Sequence, residues 1–407
     1  TTMHHEVTAA NMEESSSFPL PKEFVEFLNA NGIDASTYSI PHNAPRYIRL
    51  KSGSEHQLVE IENNLQCNLE SVPWLPTFYS LPGNVRIANS KSYKEGKVYG
   101  IDAASGAAVM ALDIANGDHV LDLCAAPGWC LLPQCNSWIQ KFFLGAKLCM
   151  ILDLLRDSGS VTAVDISRQR LAACRTMVQK YNIGDRCRLF LADGTEFSLL
   201  PLRSLQPRNE LKTQPISTYG FWSSKKPWKQ RQKLKKTATQ LGNNHEPELM
   251  YYGKDSGVVG LQKEELYNNE GELYDKVLVD AECTHDGSFT HIKKFGSWGW
   301  ESLHQRVVNA QRSDELSTLQ LKLLKNGFRM LKVGGTLIYS TCSLTVFQNE
   351  DIVRRFLKET ASAELKPIEA AKDWPCKNGQ LANTYRFDHL VSSTSGLFLA
   401  KITKLAT

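Results

Sequence analysis

From His119 onward, short apolar runs alternate with longer stretches of helical periodicity. His119–Leu123, Ser160–Val164, Arg188–Ala192, Lys276–Val279 and Thr336–Ser340 are mostly apolar or β-branched and bounded by turn signals, so each reads as a buried strand. Ser167–Tyr181 reads as a helix with Ser167 as its cap. Leu316–Leu331 reads as another, closed by the Val333-Gly334-Gly335 turn. Asn349–Lys358 is a further helix, and Leu397–Ile402 alternates as a last strand. Strands alternating with helices predict a parallel sheet with crossover helices, a Rossmann-like α/β fold.

Ahead of this rhythm, residues 1–20 are polar and rich in Ser, Thr and Glu, and are expected to form a disordered tail. Residues 21–91 read as a small α/β appendage, with a helix at Lys22–Asn31 and a strand at Arg46–Lys51. The main domain is expected over 92–407, opening on an Ala-rich helix, Gly100–Ile114, with Asp102 near its start. Two stretches interrupt it, one at about 129–145 and one at 201–272. The second is polar, low in pattern and carries a basic run at Lys225–Lys236. Such a run can bind phosphates, with Trp228 stacking on a base, or serve as a nuclear-localisation-like patch, or be a solvated loop.

Composition narrows the class. At 407 residues and 42% hydrophobic, the chain can bury one large core and a smaller one. A net charge of +4 and a pI near 8.4 are compatible with a nucleic-acid partner. The ten cysteines include no Cys-x-x-Cys and no Cys/His set at zinc-ligand spacing, so no metal is expected. No apolar run approaches a membrane span and no signal peptide is evident. The expectation is an intracellular protein with reduced thiols, in nucleus, cytoplasm or an organelle, with no membrane partner.

The chemistry gathers at strand ends. Asp122, Asp165 and Asp193 close three successive strands, and ligands of open α/β sheets bind outside the carboxyl ends of their strands. An acid after the second strand can accept both ribose hydroxyls, and one after the third can accept from an adenine amino group. No Gly-x-Gly-x-x-Gly and no phosphate loop is present. An adenosyl ligand without phosphates suggests S-adenosylmethionine. Two cysteines, Cys283 and Cys342, lie just past two further strands, beside Asp280. Methylating carbon 5 of a pyrimidine needs a thiolate on carbon 6, a second group to help remove the carbon 5 proton, and an acid near ring nitrogen 3.

At this point the residues resemble the Nop/Sun (RsmB/Nop-type) family of RNA (cytosine-5)-methyltransferases. The matching stretches are Asp122–Gly128, Val164–Leu171, Asp193-Gly194, Asp280–Cys283, Tyr339–Ser343 with Gln348–Asp351, and Gly396–Ala400. Gly100–Ser105 resembles the helix beside the cofactor. The resemblance covers about residue 84 to the end, apart from the two interruptions. It implies a class I methyltransferase sheet flanked by helices, S-adenosylmethionine as cofactor, and tRNA or rRNA as substrate. It also implies an RNA-contacting role for the appendage. By the same resemblance Cys342 is the nucleophile, Cys283 assists release, and Asp280 contacts the base. Asp165 holds the ribose and Asp193 the adenine. Cys124, Ala125, Ala126, Pro127 and Gly128 line the methionine part, and Lys147 and Arg170 shape the site.

The chain departs from the family pattern twice. Glu282 stands where the family has Pro, and can either raise the Cys283 pKa or face solvent. Between Gly128 and Ala146, residues 129–145 interrupt a run that otherwise reads Pro-Gly-Ala-Lys; without them the Asp122-to-Asp165 spacing drops from 43 to 26. An insertion at a motif junction fits a retained intron or shifted splice site. The chain length itself costs little, since doubling a loop costs roughly 0.6 kcal/mol, but displacing a catalytic element by about 1 Å can lose roughly 100-fold in rate. Weak S-adenosylmethionine binding is therefore expected, and a catalytically impaired RNA-binding form is the alternative to an active enzyme. A DNA methyltransferase is the other alternative; it usually places its nucleophile in Pro-Cys, and Glu282-Cys283 lacks the proline.

Overall fold

A computed structural model describes residues 20–38, 44–125, 145–202, 246–259, 261, 263–267, 271–288, 291–292 and 300–406. The expected tail (apart from Leu20), the basic run at 225–236, and residues 129–144 of the first interruption lie outside the described residues.

Near the N-terminus, β1 (Arg46–Leu50), β2 (Glu70–Ser71), β3 (Phe78–Leu81) and β4 (Val98–Gly100) form an antiparallel sheet in the order β2-β3-β1-β4. Its core is Ile48, Leu50, Ile61, Leu81 and Val98. The helix Lys22–Ala30 buries Phe24 and Leu28 against Ile292, Leu303, Val307 and Leu344.

The large sheet contains β5 (His119–Asp122), β6 (Ser160–Asp165), β7 (Cys187–Leu191), β8 (Glu248–Tyr252), β9 (Tyr274–Asp280), β10 (Leu331–Thr341), β11 (Ala363–Lys366), β12 (Lys377–Asn378), β13 (Thr384–Phe387) and β14 (Leu397–Lys404). Their order is β12-β13-β14-β10-β9-β5-β6-β7-β8, with β11 beside β14. The central run β10-β9-β5-β6-β7 is parallel. Every residue of β5 and β6 is buried, which is why these strands read as continuous apolar runs rather than alternating ones. The order reverses between β9 and β5. That reversal opens a crevice outside the strand ends, where open sheets bind ligands.

Both edges differ from a purely parallel sheet. Within the stretch read as polar and low in pattern, Glu248–Tyr252 adds an antiparallel strand beside β7. At the other edge β14 runs antiparallel to β10, β11 and β13. The Gly334 turn, at φ +74°, falls inside β10 as a register shift between Leu331 and Thr336. The helix predicted to begin at Leu316 starts at Ala310, because Asn309 accepts from the Arg312 N–H and caps a polar first turn.

The small sheet is fastened to the large one. Arg49 donates to Asp153 at 2.5 Å in a buried ion pair, and the Asp153 carboxylate also accepts from Ser52. The Tyr99 and Tyr181 rings meet at 4.2 Å, and the Lys51 Nζ caps the Tyr181 carbonyl at 2.6 Å.

Candidate active site

The parallel strands deliver their last residues to one edge. Asp122 ends β5, Asp165 ends β6 and Asp280 ends β9; Ser340 is paired in register with Asp280. The segments after β9 and β10 carry Cys283 and Cys342.

On one side of the crevice, the Asp165 Oδ1 accepts from the Ser167 N–H at 2.7 Å and from the Arg170 guanidinium, with which it forms a 2.9 Å ion pair. Ser167 also caps the helix Arg168–Lys180. Ile166, directly after Asp165, is 67% exposed, an apolar face beside a carboxylate that suits the flat ring of a nucleoside. Asp193 is exposed just past β7, its Oδ1 engaged by the backbone and hydroxyl of Thr195 at 2.8 Å each. Carboxylates after β6 and β7, with an exposed apolar side chain directly after the first, form an acceptor set that fits an adenosine. Of the small-residue turn after β5, Cys124 and Ala125 are described, whereas Ala126, Pro127 and Gly128 lie outside the described residues. Burial and the carboxylates of Asp165, Asp122 and Asp280 push the Cys124 thiol well above its usual range.

The flanks of the interruption can be located. The Cys174 Sγ lies 3.8 Å from the Ala125 carbonyl, and a Cβ on Gly145 would sit 3.1 Å from the same sulfur. Gly145, at φ +75°, thus meets the side chain that Ala125 meets, and a side chain there would be strained by the backbone and crowded against the sulfur. Immediately after, the Lys147 Nζ donates to the Asp280 Oδ2 at 2.7 Å, and the Ser340 hydroxyl donates to the Oδ1 at 2.7 Å. Lys147 is held above its usual value: burial opposes its charge, but the Asp280 carboxylate outweighs it.

The two cysteines come together. Their sulfurs are 3.3 Å apart; Cys283 is 1% exposed whereas Cys342 is half-buried. Burial first, and then the neighbouring Cys342, push the Cys283 thiol well above its ordinary range. Glu282 turns aside to Arg312, 3.2 Å away, rather than toward the sulfur. His285, two residues past Cys283, has no role in the sequence reading, and its place is unexpected. Its Nδ1 lies 2.8 Å from the Cys342 Sγ and 3.8 Å from the Cys283 Sγ. Both are within hydrogen-bonding range of sulfur, and the 2.8 Å separation from Cys342 is tighter than the roughly 3.5 Å that bonds of about 2.0 and 2.3 Å to a tetrahedral zinc would impose between nitrogen and sulfur.

A buried amide network locks the two cysteine segments. The Gln348 Oε1 accepts from the Thr284 N–H at 3.1 Å, and its Nε2 donates to Thr284, Ser343 and Thr345 hydroxyls. Asn349 accepts from Thr341 at 2.6 Å and donates to the Ser343 carbonyl at 2.8 Å.

Asp122 provides a pH test of this edge. Burial, then the neighbouring Asp280 carboxylate, push it up to about 7. The folded chain therefore retains a proton that the unfolded chain releases near pH 4, and stability falls as pH rises from about 4 to about 7. Between pH 5 and 8 the wild type should lose on the order of 2 kcal/mol relative to Asp122→Asn. Thermal or urea unfolding of both proteins at the two pH values measures it; an unchanged difference would refute the burial argument.

Among the described residues no helix is long and apolar enough to cross a membrane. The family profile described as "16S rRNA methyltransferase RsmB/F" matches residues 229–403. The 5-cytosine rRNA methyltransferase NSUN4 of Xenopus laevis is 25% identical over 75% of this chain and 56% of its own length. The multisite-specific tRNA:(cytosine-C(5))-methyltransferase trm4b of Schizosaccharomyces pombe is 36% identical over 25% of this chain and 13% of its own. The chain thus spans little more than half of the first relative and a small part of the second. The crystal structure of NSun6 from Pyrococcus horikoshii with SFG superposes with a TM-score of 0.60 at 15% identity, covering 95% of this chain and 99% of that one, which establishes a shared fold. Over residues 229–403 the chain is thus similar to the RsmB/F methyltransferase family, and its fold is the one the NSun6 structure shows.

Proposed function

We propose that this chain transfers a methyl group from S-adenosylmethionine to carbon 5 of a cytosine in tRNA or rRNA, through a covalent adduct on Cys342. The observation that carries the reading is the pair of sulfurs 3.3 Å apart beside the Lys147–Asp280 ion pair, one half-buried and one enclosed. A half-buried thiol can meet a base entering the crevice. An enclosed thiol with a raised pKa stays protonated and does not compete for it.

The relatives' names support RNA as the substrate class, and the Pyrococcus horikoshii protein was solved with SFG, an S-adenosylmethionine analogue. Asp165, Asp193 and Ile166 would hold the nucleoside part of the cofactor, and the segment from Cys124 to Gly128 the methionine part. When bound, the cofactor supplies an activated methyl. Asp280, fixed by Lys147 and Ser340, would contact the cytosine near nitrogen 3. The small N-terminal sheet, fastened through Arg49 and Asp153, would add RNA contacts beside the crevice. Ala125, ahead of residues 129–145, and Gly145, the last of them, meet one cysteine side chain, and Lys147 still reaches Asp280. Both features favour an active enzyme over the impaired RNA-binding form.

Incubation of the full chain with methyl-labelled S-adenosylmethionine and tRNA or rRNA transcripts, or DNA of the same sequence, tests the proposal. Nuclease digestion is expected to return the label as 5-methylcytidine from RNA and to leave DNA unlabelled. Label in DNA alone, or on any other nucleoside, would sink it; bisulfite mapping of cellular RNA would then locate the target cytosine.

A further inference from the structure

His285 occupies a position that the roles above leave unused. It lies two residues past Cys283 with its backbone at φ +57°. The left-handed region is strained for a residue with a Cβ, so its surroundings must hold it there. They do so by joining the segment after β9 to the segment after β10. The Gly287 N–H donates to the Cys342 carbonyl at 3.0 Å, and the Leu344 N–H donates to Asp286 at 2.7 Å. The Tyr38 hydroxyl donates to the Asp286 carbonyl at 2.8 Å. The imidazole is buried, stacked on His291 at 4.8 Å, with Nδ1 against the Cys342 sulfur.

We infer that His285 is a catalytic base that takes the Cys342 thiol proton at Nδ1 and returns it when the methylated base departs, an inference that rests on the covalent reading above. On attack the S–H bond breaks and Nδ1–H forms. The sulfur pair bonds carbon 6, and the displaced π pair moves to carbon 5. Carbon 5 then uses that pair to bond the activated methyl. On release the carbon 5 proton passes to the Cys283 sulfur as thiolate, the C–H electron pair re-forms the ring double bond, and the expelled Cys342 sulfur recovers the proton from Nδ1. A free thiol with a pKa near 8.5 is only a few per cent thiolate at neutral pH, so a base at this position supplies what Cys342 needs.

The charged and titratable surroundings suit the task. The imidazole faces Cys283 and Cys342, with the carboxylates of Asp280 and Glu282 nearby, Asp286 next in the chain and His291 stacked on it. Lys147 shares the edge and is paired with Asp280. Burial works against a charged imidazole, yet Cys283 and the two carboxylates outweigh it and hold His285 above its usual value.

The test needs neither RNA nor cofactor. Iodoacetamide alkylation of Cys342 in the full chain is followed peptide by peptide with mass spectrometry from pH 6 to 9. In the wild type, the rate at pH 7 is expected within about threefold of the rate at pH 9. In His285→Asn the pH 7 rate should fall about tenfold while the pH 9 rate is kept. Asparagine tolerates the left-handed backbone, so the segment can retain its shape. A wild-type rate at pH 7 that is only a few per cent of the pH 9 rate would overturn the inference without any variant. So would an unchanged profile in His285→Asn. Failure of the cytosine reading looks different: a wild-type profile as expected with no 5-methylcytidine formed.

Discussion

Replacing Cys342 with serine is expected to lower methyl transfer to RNA by on the order of 10⁴-fold or more, with the fold intact. Carbon 5 of cytosine is a weak nucleophile until sulfur adds at carbon 6. A serine hydroxyl is a far poorer attacking group than a thiolate at neutral pH, and the nearby imidazole can only partly compensate. The substitution is conservative in volume. Cys342 is half-buried, and its carbonyl, which accepts from Gly287, is untouched. Thermal unfolding of the variant should therefore match the wild type. Single-turnover transfer of labelled methyl separates the chemical step from binding. Turnover within a few-fold of the wild type would exclude a covalent route through this sulfur.

Much of the crevice was legible because its parts sit at strand ends that local pattern can find. Asp122, Asp165 and Asp280 each close a short apolar run, and the structure gathers those ends along one edge of a parallel sheet. Ser167 was identifiable as a cap from its place before a helical stretch, and it accepts from the Arg170 N–H. What escaped depends on partners distant in sequence. Glu248–Tyr252 forms a strand by pairing with β7, beyond a long polar stretch that hides any local period. Lys377–Asn378 and Thr384–Phe387 are short and mixed in burial, and their strand character comes from the β13–β14 ladder. His285 escaped for another reason. A histidine two residues past a strand-end cysteine is most often an ordinary surface or core residue. Only the bonds joining Asp286 and Gly287 to the segment after β10 bring its imidazole against the second sulfur.

Replacing Cys283 with alanine is expected to trap the chain on its RNA. Once carbon 5 carries the methyl, its proton must leave before the Cys342–carbon 6 bond can break. Loss of a positioned general base slows such a step by roughly 10²–10⁴-fold. Cys283 is the proposed helper because its sulfur lies 3.3 Å from that of Cys342, inside the same enclosed corner. Its raised pKa suits a two-stage role. Burial and the neighbouring Cys342 keep it protonated in the free site. Conversion of Cys342 to a neutral thioether removes the second of these influences, so Cys283 gives up its proton more readily at the stage when a base is required. An adduct that forms at the normal rate and decays 10²–10⁴ times more slowly should persist as a band resistant to SDS and sensitive to nuclease, dependent on S-adenosylmethionine. Cys283→Ala/Cys342→Ser should abolish that band. If Cys283→Ala instead turns over freely with no trapped RNA, proton removal from carbon 5 belongs to another group, and His285, 2.8 Å from the nucleophilic sulfur, becomes the residue to replace next.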